Sequence, residues 1–225
     1  MSKQDVIEVE GGHHIEGSVL VEGAKNSALK LMAATIMAPG VTTLTNVPNI
    51  ADVHVMGKVL KELGAHIDVL DEHTLAIDTS NVDKWETPYS LVSQMRASTA
   101  VMGPLISRFG KAVVAMPGGC NIGARKIDMH LVGMSVLGVK FEVDHGFLEA
   151  SAPNGLHGGD IMLEFASVGA TENTMMTAVL AQGHTTIENA AREPEIVDLA
   201  NMLNAMGCKV SGAGNSTIEI EGVPL

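Results

Sequence analysis

Hydrophobic side chains recur along this chain with helical spacing, and the pattern repeats. Val53, Met56, Leu60 and Leu63 share one helix face, and Ile196, Leu199, Leu203 and Met206 reproduce it 143 residues later. Gly64 and Gly207 close the two runs, where a left-handed C-cap is expected. Helix starts are marked by Asp52 before Val53 and by Glu193-Pro194. GVTTLTN at 40–46 and GHTTIEN at 183–189 come before these helices, and the strand-like AHIDVL and CKVSGA follow them. A third, less regular copy lies between: KAVVAM after Gly110, a helix around 128–137 closed by Gly138, then VKFEV. Aligned on that glycine, Met134 and Leu137 match Leu60 and Leu63. The unit reads helix, strand, loop, helix, then a pair of strands. Three units of roughly 70 residues predict an α/β domain with quasi-threefold symmetry. Short strands alternating with helices argue against an all-α or all-β fold. Residues 1–22 stand outside the repeats and predict a strand pair, VIEVEGG and SVLVEG. TIEIEGVPL at the C-terminus predicts another strand.

Function is sought where a regular pattern breaks. The first and third copies join strand to helix through short polar turns, VPNIA and AAREPE, but the middle copy inserts MPGGCNIGARKID. Gly118, Gly119 and Gly123 allow close ligand approach there, and Cys120 sits among them beside Arg125 and Lys126. That thiol is either a reactive group near cations or a loop cysteine without a role. Cys208 falls on the small apolar site of Ala65 and Val139 and reads as a packing residue. His130 takes the place of Met56 and Leu199, so it is either a core histidine satisfied by one hydrogen bond or a site residue. Arg96 lies in the otherwise uncharged MRASTAVMGPLIS, where an unpaired charge is costly, so it needs an ion-pair partner or a ligand phosphate. Lys25-Asn26 and Ser167-Val168-Gly169 each open a helix and offer the positive end of its dipole to an anion.

Composition narrows the partners. Aromatic residues are only 3%, which argues against a stacking surface for single-stranded nucleic acid. The net charge of −12 disfavours nonspecific binding to nucleic acids or anionic membranes. The longest uncharged run, 31–51, is broken by Pro39, Gly40 and Pro48 and does not read as a membrane span. The N-terminus has no apolar core of signal-peptide length. Two cysteines make no disulfide framework, so a cytoplasmic protein with reduced thiols is expected. The histidines show no metal-site spacing, and no metal is assigned.

PGGCNIGARKIDMH, GAKNSAL, MRAS, SVGATEN and ENAAREPEIVDLANMLNAMG together resemble the UDP-N-acetylglucosamine enolpyruvyl transferase (1-carboxyvinyltransferase) family over almost the whole chain. The resemblance implies an inside-out α/β fold, with helices inside and sheets outside. It also implies transfer of the enolpyruvyl group of phosphoenolpyruvate to the 3-hydroxyl of UDP-N-acetylglucosamine, with release of phosphate and with no cofactor. That step would place the protein in peptidoglycan precursor synthesis, and through it in cell-wall biogenesis, cell shape, cell division and the cell cycle. Cys120 would be the general acid and the site of alkylation by fosfomycin. Lys25 and Arg125, with Arg96, match positions that hold phosphate and carboxylate charge, and Asn26 matches a substrate contact. Arg125, Lys126, Ile127, Asp128 and Met129 match the segment contacting the UDP-sugar. Ser167, Val168 and Gly169 match its diphosphate turn, and Phe165 stands where some relatives carry a cation.

Members of the family are about twice this length, and the missing lobe supplies an Asp proposed to take the sugar proton and further Arg residues. The expected organisation is therefore a segment 1–22 belonging to the second lobe, a Cys-loop lobe at 23–225, and no second lobe in this chain. Such a half-length form is expected to fold, to bind UDP-sugar weakly and to turn over poorly or not at all, with the absent lobe or a second copy as its partner. Two other readings stand beside it: a non-catalytic UDP-sugar-binding lobe, and the shikimate-pathway enolpyruvyl transferase. The PGGCNIGAR loop argues against the latter, which lacks this Cys motif.

Overall fold

The computed structural model describes residues 6, 8–87, 96–115 and 127–224, apart from the side chains of 96–98. Each expected repeat forms a helix followed by a strand, a second helix and a hairpin. The first unit is α1 (Lys25–Ala34), β1 (Val41–Leu44), α2 (Ala51–Glu62), β2 (His66–Asp71) and β3 (Thr74–Asp78). The second is α3 (Met102–Phe109), β4 (Lys111–Ala115), α4 (Asp128–Val136), β5 (Lys140–Asp144) and β6 (Phe147–Ser151). A short strand, β7 (Asp160–Met162), precedes the third: α5 (Val168–Ala178), β8 (His184–Glu188), α6 (Pro194–Ala205), β9 (Lys209–Ser211) and β10 (Thr217–Glu221).

The three sheets share one wiring. The second hairpin strand lies in the middle, antiparallel to both its hairpin partner and the strand that opens the unit: β1-β3-β2, β4-β6-β5 and β8-β10-β9. The third sheet adds β7 parallel to β8. The two best-matched units agree down to backbone dihedrals. Asn46 and Asn189, closing GVTTLTN and GHTTIEN, both hold a left-handed φ, of 56° and 55°. Asparagine tolerates that region better than other residues with a Cβ. Gly64, Gly138 and Gly207 all have φ near 100°, as the expected C-caps require.

Burial explains the layering. Every residue from Ala170 to Ala178 of α5 is buried, as are Met102–Ile106 of α3 and Met32–Ala34 of α1. These first helices of the units form the interior. The second helices bury one stripe each: Val53, Met56 and Leu60 in α2, and Ile196, Leu199 and Leu203 in α6. The sheets lie outside, with Val41, Val69 and Val143 exposed on them. This is the inside-out arrangement, helices within and sheets without.

One expectation fails. The strand pair predicted in 1–22 does not form among its described residues, which take no regular element. Val9, Ile15, Val19, Leu20 and Val21 are each more than 80% exposed. Alternating hydrophobics encode a strand only where a sheet edge supplies the other half of the ladder, and no described strand pairs with this segment.

Gly57 offers a simple stability test. It lies inside α2, and a Cβ there would meet only Ile67 Cδ1, at 3.7 Å, an ordinary contact. Gly57→Ala is expected to raise the unfolding free energy by about 0.5–1 kcal/mol, because glycine is the worse helix former. A urea midpoint unchanged or lowered would contradict that assignment.

Candidate active site

The first turns of five helices meet at one end of the helical layer. Lys25 Nζ, at the start of α1, pairs with Asp52 Oδ2 in the first turn of α2 at 3.1 Å. Its neighbour Asn26 donates from Nδ2 to Glu195 Oε1, in the first turn of α6, at 3.2 Å. Ser27 donates to Asp198 of α6, and Lys30 pairs with Glu172 of α5. Thus α1 presents Lys25, Asn26, Ser27 and Lys30 to carboxylates from three other helices. On the far side, the ring of His130 in α4 lies over Gly169 in α5, so closely that a Cβ on Gly169 would stand 3.0 Å from His130 Cε1. Ser167 caps α5, its hydroxyl accepting from Ala170 N at 3.4 Å.

Five converging N-termini concentrate unpaired backbone N–H groups and partial positive charge, which favours anions. Carboxylates already take part of that field: Asp52, Asp128 and Glu195 occupy first turns, where the dipole stabilises them. Lys25 and Asn26 remain exposed despite their partners.

Below this surface lies a polar cluster that the sequence did not announce. Glu172 is fully buried, and its Oε1 has no hydrogen-bond partner among the described residues. Burial raises its carboxyl above the ordinary value, opposed by the charge of Lys30. Glu172 is the lone charge in a long uncharged stretch, the same signal that singles out Arg96. Asn173 is likewise buried, and its amide bridges Gly103 N, Thr99 O and His130 Nδ1, each at 3.0 Å. Burial first, and the Lys30 charge second, push the His130 imidazole down to about 4, so the ring is neutral at pH 7.

Among the residues singled out from sequence, Lys25, Asn26, Asp128, Met129, His130, Ser167, Val168 and Gly169 all lie in these first turns or cap them, and Ile127 caps α4. Met129 is buried and packs with the α5 and α6 core, so its side chain serves packing. Cys120, Arg125, Lys126 and the Arg96 side chain lie outside the described residues. The segment carrying the first three runs between the end of β4 and the N-cap of α4, Ile127, next to His130. Cys208 is half-buried against the apolar core, and burial pushes its thiol above its ordinary value, the reverse of an activated nucleophile. Phe165 is 60% exposed ahead of the α5 cap. A depression lined by Glu62, Asp83, Trp85 and Phe147 shares no residue with this region. Among the described residues no group of His, Cys, Asp or Glu could hold a metal ion, and no helix is long and apolar enough to cross a membrane.

Known proteins share this sequence and fold. The profile of the family described as EPSP synthase (3-phosphoshikimate 1-carboxyvinyltransferase) matches residues 9–225. The chain is 52% identical over 215 residues to UDP-N-acetylglucosamine 1-carboxyvinyltransferase 2 of Carboxydothermus hydrogenoformans, covering 96% of this chain and 51% of that protein. It is 52% identical over 220 residues to the UDP-N-acetylglucosamine 1-carboxyvinyltransferase of Corynebacterium jeikeium, covering 98% and 52%. The chain therefore spans about half the length of the curated relatives it matches. Among solved structures, the enolpyruvyl transferase NikO of Streptomyces tendae superposes with a TM-score of 0.81 at 26% identity, over 95% of this chain and 50% of that one. An EPSP synthase of Acinetobacter baumannii, at 17% identity and a TM-score of 0.71 over 93% and 48%, shares the fold. With the profile spanning nearly every residue and the inside-out threefold fold in common, this chain belongs to the EPSP synthase (3-phosphoshikimate 1-carboxyvinyltransferase) family of enolpyruvyl transferases.

Proposed function

We propose that this chain is the Cys-bearing lobe of a UDP-N-acetylglucosamine enolpyruvyl transferase, acting on phosphoenolpyruvate and UDP-N-acetylglucosamine in peptidoglycan precursor synthesis in the cytoplasm. The observation that carries the proposal is the meeting of helix N-termini around Lys25, Asn26, His130 and the Ser167–Gly169 turn. The roughly 50% identity to transferases named for that sugar favours it over the shikimate-pathway reading.

In this reading the Ser167–Gly169 turn and the 125–129 segment hold the UDP-sugar, the turn receiving its diphosphate. Lys25, Arg125 and Arg96 hold the phosphate and carboxylate of phosphoenolpyruvate. Cys120 gives its S–H proton to the methylene carbon while the sugar 3-oxygen bonds to the neighbouring carbon and loses its own proton. The tetrahedral product then expels phosphate and returns a methyl proton, leaving the enolpyruvyl ether. A thiol S–H can serve as a general acid toward the carbon of an enol phosphate. Fixed cations and backbone N–H groups stabilise the multiply anionic intermediate. Segment 1–22 belongs with a second lobe, which completes the site over 23–225 and supplies the base for the sugar hydroxyl.

Calorimetry on the chain tests the substrate class: binding of UDP-N-acetylglucosamine without binding of shikimate-3-phosphate is expected, and the reverse preference refutes the proposal. Mass spectrometry after fosfomycin treatment with the UDP-sugar present is expected to find the adduct on Cys120. An adduct on Cys208 with Cys120 untouched would overturn the assignment. Phosphate release by the chain alone is expected to be slow or absent, since the second lobe's groups are not part of it.

A further inference from the structure

The Asn173 amide has no freedom in its orientation. Gly103 N–H can only donate, so it must face Oδ1, while Thr99 O can only accept, so it must face Nδ2. Both contacts are 3.0 Å, and they fix the amide from opposite sides. The second Nδ2 hydrogen then points at His130 Nδ1, also 3.0 Å away, and that nitrogen must offer its lone pair. A neutral imidazole with an accepting Nδ1 carries its proton on Nε2. Nε2 makes no hydrogen bond among the described residues, and it lies 3.1 Å from where a Cβ on Gly169 would stand. The histidine edge that remains available is therefore an N–H at the first turn of α5.

We propose that Asn173 is a positioning residue that locks His130 as the Nε2–H tautomer, so that His130 presents a neutral donor to a diphosphate oxygen of the nucleotide sugar beside Ser167–Gly169. The proposal rests on the UDP-sugar reading above. Three features of the structure support it independently of any ligand. The low imidazole pKa keeps the ring uncharged at pH 7, so Nδ1 stays an acceptor. Gly169 leaves room for the ring to approach the helix end, because any side chain there would collide with it. The amide that does the locking is itself buried, at 1% exposure, and tied to two backbone groups from α3 and the turn before it. A neutral donor of fixed direction adds a hydrogen bond to an anion without adding a second cation beside Lys30.

The test uses the 225-residue chain. Long-range proton–nitrogen NMR identifies the ring nitrogens of His130 by their loss in His130→Gln, and reports which one is protonated. Calorimetry with UDP-N-acetylglucosamine measures affinity. The wild type is expected to show the Nε2–H tautomer. His130→Ala is expected to weaken binding at least about tenfold, and His130→Gln, which keeps an N–H, to recover most of it. Asn173→Ala is expected to give a mixture of tautomers and weaker binding, and the double variant to bind no worse than His130→Ala, because both act through one group. If Asn173→Ala does not fold, the wild-type tautomer and the two His130 variants still decide. An Nδ1–H or charged ring at pH 7 overturns the proposal, as does a His130→Ala chain that binds like wild type. A wild-type chain with no affinity for the UDP-sugar overturns the functional reading and this inference with it.

Discussion

Lys30→Ala lowers the unfolding free energy by about 3–5 kcal/mol at neutral pH, the cost of leaving a buried carboxylate without its cation. Glu172 is fully buried and the Lys30 side chain only 15% exposed, so water cannot replace the lost partner. The pair need not be a net stabiliser. Desolvation of two ions offsets most of their attraction, and Lys30→Met with Glu172→Leu is expected to recover the loss and even to exceed wild type by about 1–4 kcal/mol. The sign of the pH dependence separates this account from a packing defect. Burial raises the Glu172 carboxyl above its ordinary value of 4.5, with Lys30 opposing. A folded pKa above the unfolded one means that the folded chain binds more protons, so this group's contribution is complete below the ordinary value and is lost as pH rises through the folded one. Removing Lys30 widens that gap. The penalty of Lys30→Ala is therefore expected to grow from pH 5 to pH 8, measured by urea unfolding at each pH. A penalty independent of pH would show that the lost methylenes, and not the charge, are responsible.

Much of the fold could be read from the chain because the signals were local. Apolar spacing marked α2 and α6, a glycine marked each C-cap, and the repeat placed Asn46 and Asn189 in matching left-handed turns. Periodicity does not specify how helices pack beside one another. Lys30 meets Glu172, and Ser27 meets Asp198, across 142 and 171 residues, on helices whose lateral order no local pattern encodes. The polar floor under the site was therefore invisible, except that Glu172 stands alone in an uncharged helix as Arg96 does in its own stretch. The N-terminal segment shows the opposite error. Its alternation is as good a strand signal as that of β10, but β10 has β8 and β9 on either side, and the segment pairs with no described strand. Ser167 was legible from cap chemistry, since its hydroxyl accepts from Ala170 N, whereas Lys25 follows the alanine N-cap Ala24, which makes no capping hydrogen bond, and was legible only as the cation that opens its helix.

Gly103→Ala destabilises the chain by about 1–3 kcal/mol, even though alanine is the better helix former. Gly103 lies where α3 crosses the fully buried α5, and an added Cβ would stand 2.7 Å from the Asn173 carbonyl oxygen and 3.0 Å from its Oδ1. The carbonyl belongs to a helix with no exposed face along this stretch, so it cannot give way without moving the interior. The same methyl group is favourable at Gly57, where it meets only a flexible Ile67 methyl. The two substitutions thus have equal chemistry and opposite expected signs, which isolates packing from propensity. Gly103 also donates the hydrogen bond that orients the Asn173 amide, 70 residues away in sequence, so a displaced α3 disturbs His130 through Asn173. Gly103→Ala is therefore expected to shift the His130 ring-nitrogen signals toward a tautomer mixture, while Gly57→Ala leaves them in place. A Gly103→Ala chain as stable as wild type, with an unchanged ring spectrum, would mean that α3 and α5 do not pack this closely and that the amide is held by something else.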